Sequence, residues 1–283
     1  MAARPRTLPA AIAPVLVGSA ASTDAGDDFR WAAFGAALAG SILIQIGTNL
    51  ANDYSDAKRG ADTADRLGPV RVTSTGLVAP RRVLYATWLA FALAVGAGIY
   101  LATVAGPIIL AVGAASILAG VLYTGGPRPY GYEGLGEPFV FVFFGLVAVN
   151  GSYYVQVEEL DWLPFLLSIP VGFIATAILV VNNLRDIDTD RRAGKRTLAV
   201  RIGRERTRAL YVGLITGAFA VLPLALLAGD GPAWPLVALI TLPLAPFGAV
   251  RTRTDGPSLN GALADTGRLL AAFSLLVSAG LLI

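Results

Sequence analysis

Runs of apolar residues, separated by short polar breaks, fill this chain from end to end. Nine of them stand out, at about 8–22, 31–51, 83–102, 106–124, 138–156, 162–184, 209–228, 233–250 and 265–283. A membrane-spanning helix needs roughly 20 mostly apolar residues. The pattern therefore predicts an all-α polytopic membrane protein of nine transmembrane helices. The first run is short and carries Pro9 and Pro14, so a kinked or partly interfacial helix is expected there.

Composition sharpens this picture. Of 283 residues, 55% are hydrophobic and 14% charged, and the mean hydropathy is +0.66; soluble domains carry about 25% charged residues. The 32 glycines suit close helix packing in lipid. There is no cysteine and no histidine. That excludes disulfides, thiol nucleophiles, thiolate or imidazole metal sites and histidine acid–base catalysis. A bound metal would be a hard cation held by oxygen. No cleavable leader is expected from the first residues, "MAARPRTLPAAIAPVLVG".

Charge sets the expected orientation. With the amino terminus in the cytoplasm, 21 of the 22 Lys and Arg residues fall on the cytoplasmic side, and only Arg30 falls outside. The opposite loops, "STDAGDD", "EELD" and "GDGP", are mostly acidic. This asymmetry is the positive-inside pattern. It predicts a multi-pass protein of the cell membrane and gives the basic loops a reason that needs no nucleic-acid partner.

The two large basic loops resemble each other. Asn52, Asp56 and Gly60 align with Asp186, Asp190 and Gly194 at a constant offset of 134, close to half the chain. The apolar runs follow a similar offset, the first matching the fifth and so on to the fourth and eighth. A single domain, 1–283, is expected, built as a parallel four-helix internal repeat (about 1–130 and 131–264) plus one extra helix at 265–283.

Spacing then points to chemistry. Residues four apart share a helix face. Asn52 and Asp56 point together if the second helix continues past its apolar limit, and Asn182, Asp186 and Asp190 form a longer stripe on the sixth. Like charges so placed repel, and a cation relieves the repulsion. Two facing stripes at a membrane surface could hold two Mg²⁺ ions, which take one or two carboxylates plus phosphate oxygens and water. Lys195, Arg185, Arg71, Arg66 and Arg128 could meet a diphosphate beside them. Taken singly, each of these residues is more readily read as a solvated charge or a helix cap; the matched repeat favours a metal–diphosphate site.

At these residues the sequence resembles the UbiA superfamily of intramembrane prenyltransferases. Its two acidic motifs correspond to Asn52-Asp53-Tyr54-Ser55-Asp56 and Asp186-Ile187-Asp188-Thr189-Asp190. The resemblance spans nearly the whole chain. It is strongest to the branch acting on 1,4-dihydroxy-2-naphthoate in menaquinone synthesis, through "RPRTLPAAIAPVLVG", "NDYSDAKRGAD", "GPVRVTSTG", "YTGGPRPYGYEGLGEPFVFVFFG" and "NNLRDIDTDRRAGKRTLAVRIG". Many members carry Asp four residues after the position of Asp56. Here Gly60 stands there and Asp62 two residues later, a displacement the naphthoate branch shares. The 4-hydroxybenzoate branch has a Lys-Arg-Thr run after its fourth helix; here Arg128 is the only base in that loop.

The resemblance implies Mg²⁺-dependent transfer of a polyprenyl group from polyprenyl diphosphate to 1,4-dihydroxy-2-naphthoate, with loss of diphosphate and CO₂, at a site facing the cytoplasm. Metal ligands would be Asn52, Asp56, Asp186 and Asp190, with Asp62 behind them. Lys195, Arg71 and Arg128 would stabilise the leaving diphosphate, with Arg66 and Arg185 near. Asp53 and Asp188 would support the site or assist ring deprotonation. Arg6 could grip the naphthoate carboxylate and Tyr123 could line the site. Phe139, Phe141, Phe143 and Phe144 would pack against lipid or the prenyl tail, and Asn150 would bond between helices. Three other readings remain: another aromatic acceptor, a transporter with coupling residues at the bilayer midplane, and a lipid-phosphate phosphatase, whose common forms use histidine.

Overall fold

The structure, a computed structural model, describes residues 4, 7–25, 28–60, 67, 71–253 and 256–283. Arg6, Asp62 and Arg66 lie outside these residues. The described regular structure is helical throughout: α1 (Leu8–Ala21), α2 (Trp31–Lys58), α3 (Pro80–Ala105) and α4 (Ile108–Leu122) are followed by α5 (Gly136–Val140), which passes through a π-helical stretch, Phe141–Val147, into α6 (Ala148–Val157). Then come α7 (Trp162–Arg192), α8 (Leu198–Ala228), a 3₁₀ stretch Trp234–Leu244, α9 (Phe247–Thr252) and α10 (Leu259–Leu281).

Each of the nine predicted runs is helical. Among the described residues, six helices are long and apolar enough to cross a membrane: α2, α3, the continuous Gly136–Val157, α7, α8 and α10. The other three are shorter. α1 has 14 residues and α4 has 15, about 21–23 Å at 1.5 Å per residue, against about 30 Å of hydrocarbon. The expected eighth helix at 233–250 is not continuous. It is a 3₁₀ stretch that ends at Leu244, and α9 starts afresh at Phe247. Pro243 and Pro246 explain the break, since each lacks the backbone donor an α-helix needs.

α1 is a core helix rather than an interfacial one, with ten of its 14 residues buried. It packs on α6, α10 and α2. A Cβ on Gly18 would lie within 2.1 Å of the Val149 carbonyl oxygen on α6, so only glycine lets the backbones approach this closely. α7 is the other central element: 72% of its most apolar window is buried. Around them lies an outer apolar surface, including Trp88, Leu89, Leu93 and Ile99 on α3 and Leu224 and Leu227 on α8. Trp31, Trp162 and Trp234 are exposed at the first residue of α2, α7 and the 3₁₀ stretch. Tryptophan at that position suits a membrane–water interface.

The offset of 134 extends to backbone detail. α2 and α7 both run well past their apolar limits, so each carries its acidic motif on helix. Both end the same way. Arg59 N–H bonds to Ser55 O and Gly60 N–H to Ala57 O; Ala193 N–H bonds to Thr189 O and Gly194 N–H to Arg191 O. Gly60 (φ 65°) and Gly194 (φ 73°) are both left-handed, the backbone that closes a helix and favours glycine. α2–α3 and α7–α8 are the two most extensive helix pairings in the bundle.

Candidate active site

A cavity of about 370 Å³ lies between the halves. Its walls come from α1–α4, the π-helical stretch, α6 and α7. One end is polar, with Asn52, Asp56 and Arg71 facing Asn182, Asp186, Asp190 and Lys195. The opposite wall is apolar and includes Leu101, Ile109, Val112, Val147 and Val155.

Asp56 is the electrostatic centre of the polar end. Its side chain is 1% exposed. It accepts from Arg71 Nη2 at 2.6 Å and from the Tyr132 hydroxyl at 2.5 Å, and Lys195 Nζ lies 3.4 Å away. Lys195 Nζ also sits 4.7 Å from the Tyr132 ring centroid, a cation–π contact. The chain fixes this cluster through its loops. Arg196 N–H bonds to the Tyr132 carbonyl, which ties the loop after α4 to the loop after α7, and Lys195 N–H bonds to Asp190 O. Asn52 accepts from the Thr124 hydroxyl at 2.8 Å, leaving one lone pair of its carbonyl oxygen.

On α7, Asp186 is held by Arg185 through two bonds, of 2.8 and 2.6 Å. Arg185 also donates to Asn182 Oδ1 and to Asn260 on α10. Its side chain is 1% exposed and does not line the cavity. It orients Asp186 and ties α7 to α10; it does not meet a ligand as expected. Three further residues sit apart from the cavity, and for Asp188 and Arg128 the expectation is corrected. Asp53, 2% exposed, faces away from the cavity and accepts the backbone N–H groups of Val72 and Thr73. It therefore positions the loop carrying Arg71 and is not placed to deprotonate a ring. Asp188 is on the opposite face of α7, exposed and paired with Arg204. Arg128 is exposed and outside the cavity lining. The cause in each case is helix or turn phase: a residue one or two positions from a cavity-facing neighbour points elsewhere.

Tyr123 does line the cavity. It meets Tyr130 edge-on at 5.4 Å, Tyr130 stacks on Phe139 at 4.0 Å, and Phe139 continues to Phe143 at 6.1 Å. Burial pushes the Tyr130 phenol up from its ordinary value, so it stays protonated and donates to Ala119 O at 2.9 Å. Phe139, Phe143 and Phe144 line the cavity, while Phe141 packs on Phe173. Asn150 bonds within its own helix, to Leu146 O, and not between helices.

Sequence reasoning missed several residues. Tyr132 stands in the quoted "GGPRPYGYEG" loop with nothing to separate it from Tyr130. On α2, Ser41, Gln45 and Asn49 precede Asn52 and Asp56 on one face and line the cavity. Gln45 and Asn49 both donate to Thr7 Oγ1, at 3.1 and 3.2 Å. The signal was available: polar residues three or four apart inside an apolar run mark a face turned from lipid. Glu137 and Asn183 are joined at 2.9 Å.

The chain matches the UbiA prenyltransferase family over residues 11–263. The chain belongs to that family. A 1,4-dihydroxy-2-naphthoate octaprenyltransferase of Mycobacterium tuberculosis is 46% identical over 281 residues, covering 99% of this chain and 94% of that protein. The Escherichia coli protein of the same name is 39% identical, covering 85% and 80%. Solved structures share the UbiA fold at low identity. An Aeropyrum pernix UbiA homologue without ligand aligns at TM-score 0.70 and 14% identity, covering 96% of both chains. An Archaeoglobus fulgidus UbiA homologue bound to DMAPP and Mg²⁺ aligns at 0.67 and 15%, covering 99% of this chain and 97% of that one.

Proposed function

We propose that this UbiA-family chain transfers a polyprenyl group from polyprenyl diphosphate to 1,4-dihydroxy-2-naphthoate, releasing diphosphate and CO₂. One observation carries the reading: two helices place Asn52/Asp56 and Asp186/Asp190 across the polar end of a cavity whose opposite wall is apolar, with Arg71 and Lys195 between. The naphthoate acceptor rests on the relatives' names and on their identity over nearly the full chain.

The donor set fits Mg²⁺ in the presence of diphosphate. Among the described residues no three carboxylates cluster tightly enough to hold a metal alone. Mg²⁺ commonly takes one or two carboxylates and completes its shell with phosphate and water. Asp56 with Asn52, and Asp190 with Asp186, offer that on each side. Two bound Mg²⁺ would neutralise the departing diphosphate. The chain's own residues do the rest. Arg71 and Lys195 turn from Asp56 toward the diphosphate oxygens. Asp53 keeps the Arg71 loop in place. The aromatic row Tyr123–Tyr130–Phe139–Phe143 borders the position where allylic charge develops, and the apolar wall excludes water and receives the tail.

The same reading includes nine membrane passes, counting the three short helices, as one domain of two parallel repeats plus α10. The positive-inside charge pattern supports a cytoplasmic amino terminus and a site opening toward the cytoplasm in the cell membrane. The test is prenyl transfer by the purified protein in nanodiscs, with geranylgeranyl or longer diphosphate and the naphthoate, with Mg²⁺ or EDTA. Product that needs Mg²⁺ and vanishes in Asp190→Ala is expected. Transfer to 4-hydroxybenzoate but not to the naphthoate would replace the acceptor. No transfer to any aromatic acceptor would remove the reading.

A further inference from the structure

One turn deeper than Asp186, α7 presents two adjacent asparagines to the cavity, Asn182 and Asn183. Each has one end of its amide already committed, and the commitments are opposite. Asn182 Oδ1 accepts from Arg185 Nη2 at 3.0 Å. Arg185 is itself locked by Asp186 and Asn260. Both Nδ2 hydrogens of Asn182 and one lone pair of its Oδ1 remain for the cavity, so its donor end is the larger offer. Asn183 Nδ2 donates to Glu137 Oε1 at 2.9 Å. A carboxylate only accepts, so Glu137 fixes that amide with its nitrogen inward. Asn183 then has both lone pairs of its carbonyl oxygen, against one remaining Nδ2 hydrogen, to offer the cavity.

Glu137 is otherwise unexplained. It is 5% exposed, does not line the cavity, and its Oε2 has no side-chain donor among the described residues. Burying a carboxylate with a single side-chain donor costs the fold stability. Orienting Asn183 gives that cost a function.

We propose that Asn182 and Asn183 read the hydroxy-acid edge of the aromatic acceptor. Asn182 donates to its carboxylate, Asn183 accepts from the hydroxyl on the neighbouring ring carbon, and Glu137 is the positioning residue that sets the second amide. The inference rests on the naphthoate reading above. A donor beside an acceptor matches an acid with an ortho hydroxyl and does not match 4-hydroxybenzoate, whose two groups lie across the ring. The pair sits about 5 Å along the helix from Asp186, within a ring's reach of a carbon attached to a diphosphate held there.

The test uses competitive inhibition of prenyl transfer to the naphthoate by 1-hydroxy-2-naphthoate and by its 1-methoxy analogue, which cannot donate. The wild-type protein is expected to bind the hydroxy acid roughly tenfold more tightly, the worth of one hydrogen bond to a buried acceptor. Asn183→Leu and Glu137→Met are each expected to bring the ratio close to one. The KM for prenyl diphosphate should stay within twofold in both, which also shows that they fold. A wild-type ratio near one overturns the inference without needing any variant. So does a tenfold ratio that survives in either variant. In both cases transfer to the naphthoate still stands. Absence of that transfer in the wild type instead overturns the function on which the inference rests.

Discussion

At the residue scale, Asp56 is the side chain on which most of the polar end depends. Its contacts with Tyr132, Arg71 and Lys195 predict graded effects. Tyr132→Phe removes one hydrogen bond but keeps the ring beneath Lys195. It is expected to lower kcat/KM about tenfold, since a bond to a charged group contributes roughly 1.5–3 kcal/mol. Tyr132→Ala removes the cation–π contact as well and should cost more, which steady-state kinetics would read directly. Equal activity of Tyr132→Phe and wild type would detach the hydroxyl from the site. Asp53 and Asp188 are a contrasting pair. Both are two or three residues from a site carboxylate in sequence, yet one is buried on loop amides and the other is exposed. Asp53→Ala strands two backbone donors that now meet a carboxylate. It should lower stability by about 2–3 kcal/mol and raise the KM for prenyl diphosphate, because the Arg71 loop loses its anchor. Asp188→Asn should leave kcat/KM within twofold, as exposed ion pairs contribute little.

At the element scale, the repeat predicts where glycine is required and where it is spare. Gly194 closes α7 in the left-handed region, and the next residue is Lys195. A Cβ there meets nothing within 4 Å, so Gly194→Ala carries only the backbone cost of about 1–2 kcal/mol, with a raised KM as Lys195 shifts. Gly145 is different. A Cβ on it would lie 2.8 Å from Gly172 Cα and 2.9 Å from the Ser168 carbonyl, backbone against backbone. Gly145→Val should prevent stable packing of the π-helical stretch on α7, seen as loss of monodisperse protein in detergent, whereas Gly213→Ala, with open space around it and outside the cavity, should behave as wild type. These contacts also mark what the sequence can reveal. Nine apolar runs and two matched motifs were legible because burial in lipid imposes run length and the repeat imposes an offset. The π-helical stretch and the 3₁₀ stretch were not, because each keeps the apolar composition of an α-helix and differs only in its hydrogen-bond register. Asn52, Asp56, Asp186 and Asp190 were legible as a facing set from i, i+4 spacing. Arg128 and Arg185 were misassigned because charge alone does not say which way a turn or helix face points.

At the scale of the whole molecule, the polar end is assembled from both halves: α2 supplies Asn52 and Asp56, α7 supplies Asp186 and Asp190, and loop residues Arg71 and Lys195 lie between. In this arrangement each cation already has an anion. Arg71 and Lys195 are paired with Asp56, and Asp186 with Arg185. Mg²⁺ alone would have to displace those pairs while finding no tight carboxylate cluster among the described residues. Diphosphate alone would gain Arg71 and Lys195 but would lie against three carboxylates. Together each ligand removes the other's obstacle: diphosphate draws the cations from Asp56, and Mg²⁺ takes their place. Binding of the two is therefore expected to be strongly cooperative, with a coupling free energy at or above the usual 1–3 kcal/mol. Thermal unfolding of the protein in detergent would show it. Mg²⁺ alone and pyrophosphate alone should each move Tm little, and the pair should raise it by more than the sum, because ligands that bind only the folded state stabilise by mass action. The same excess should disappear in Asp56→Ala and in Asp190→Ala alike, since a bridge between two helices fails from either end. A shift with Mg²⁺ alone as large as with both would mean that the metal site is complete within one half, and the two-sided reading of the cavity would fall.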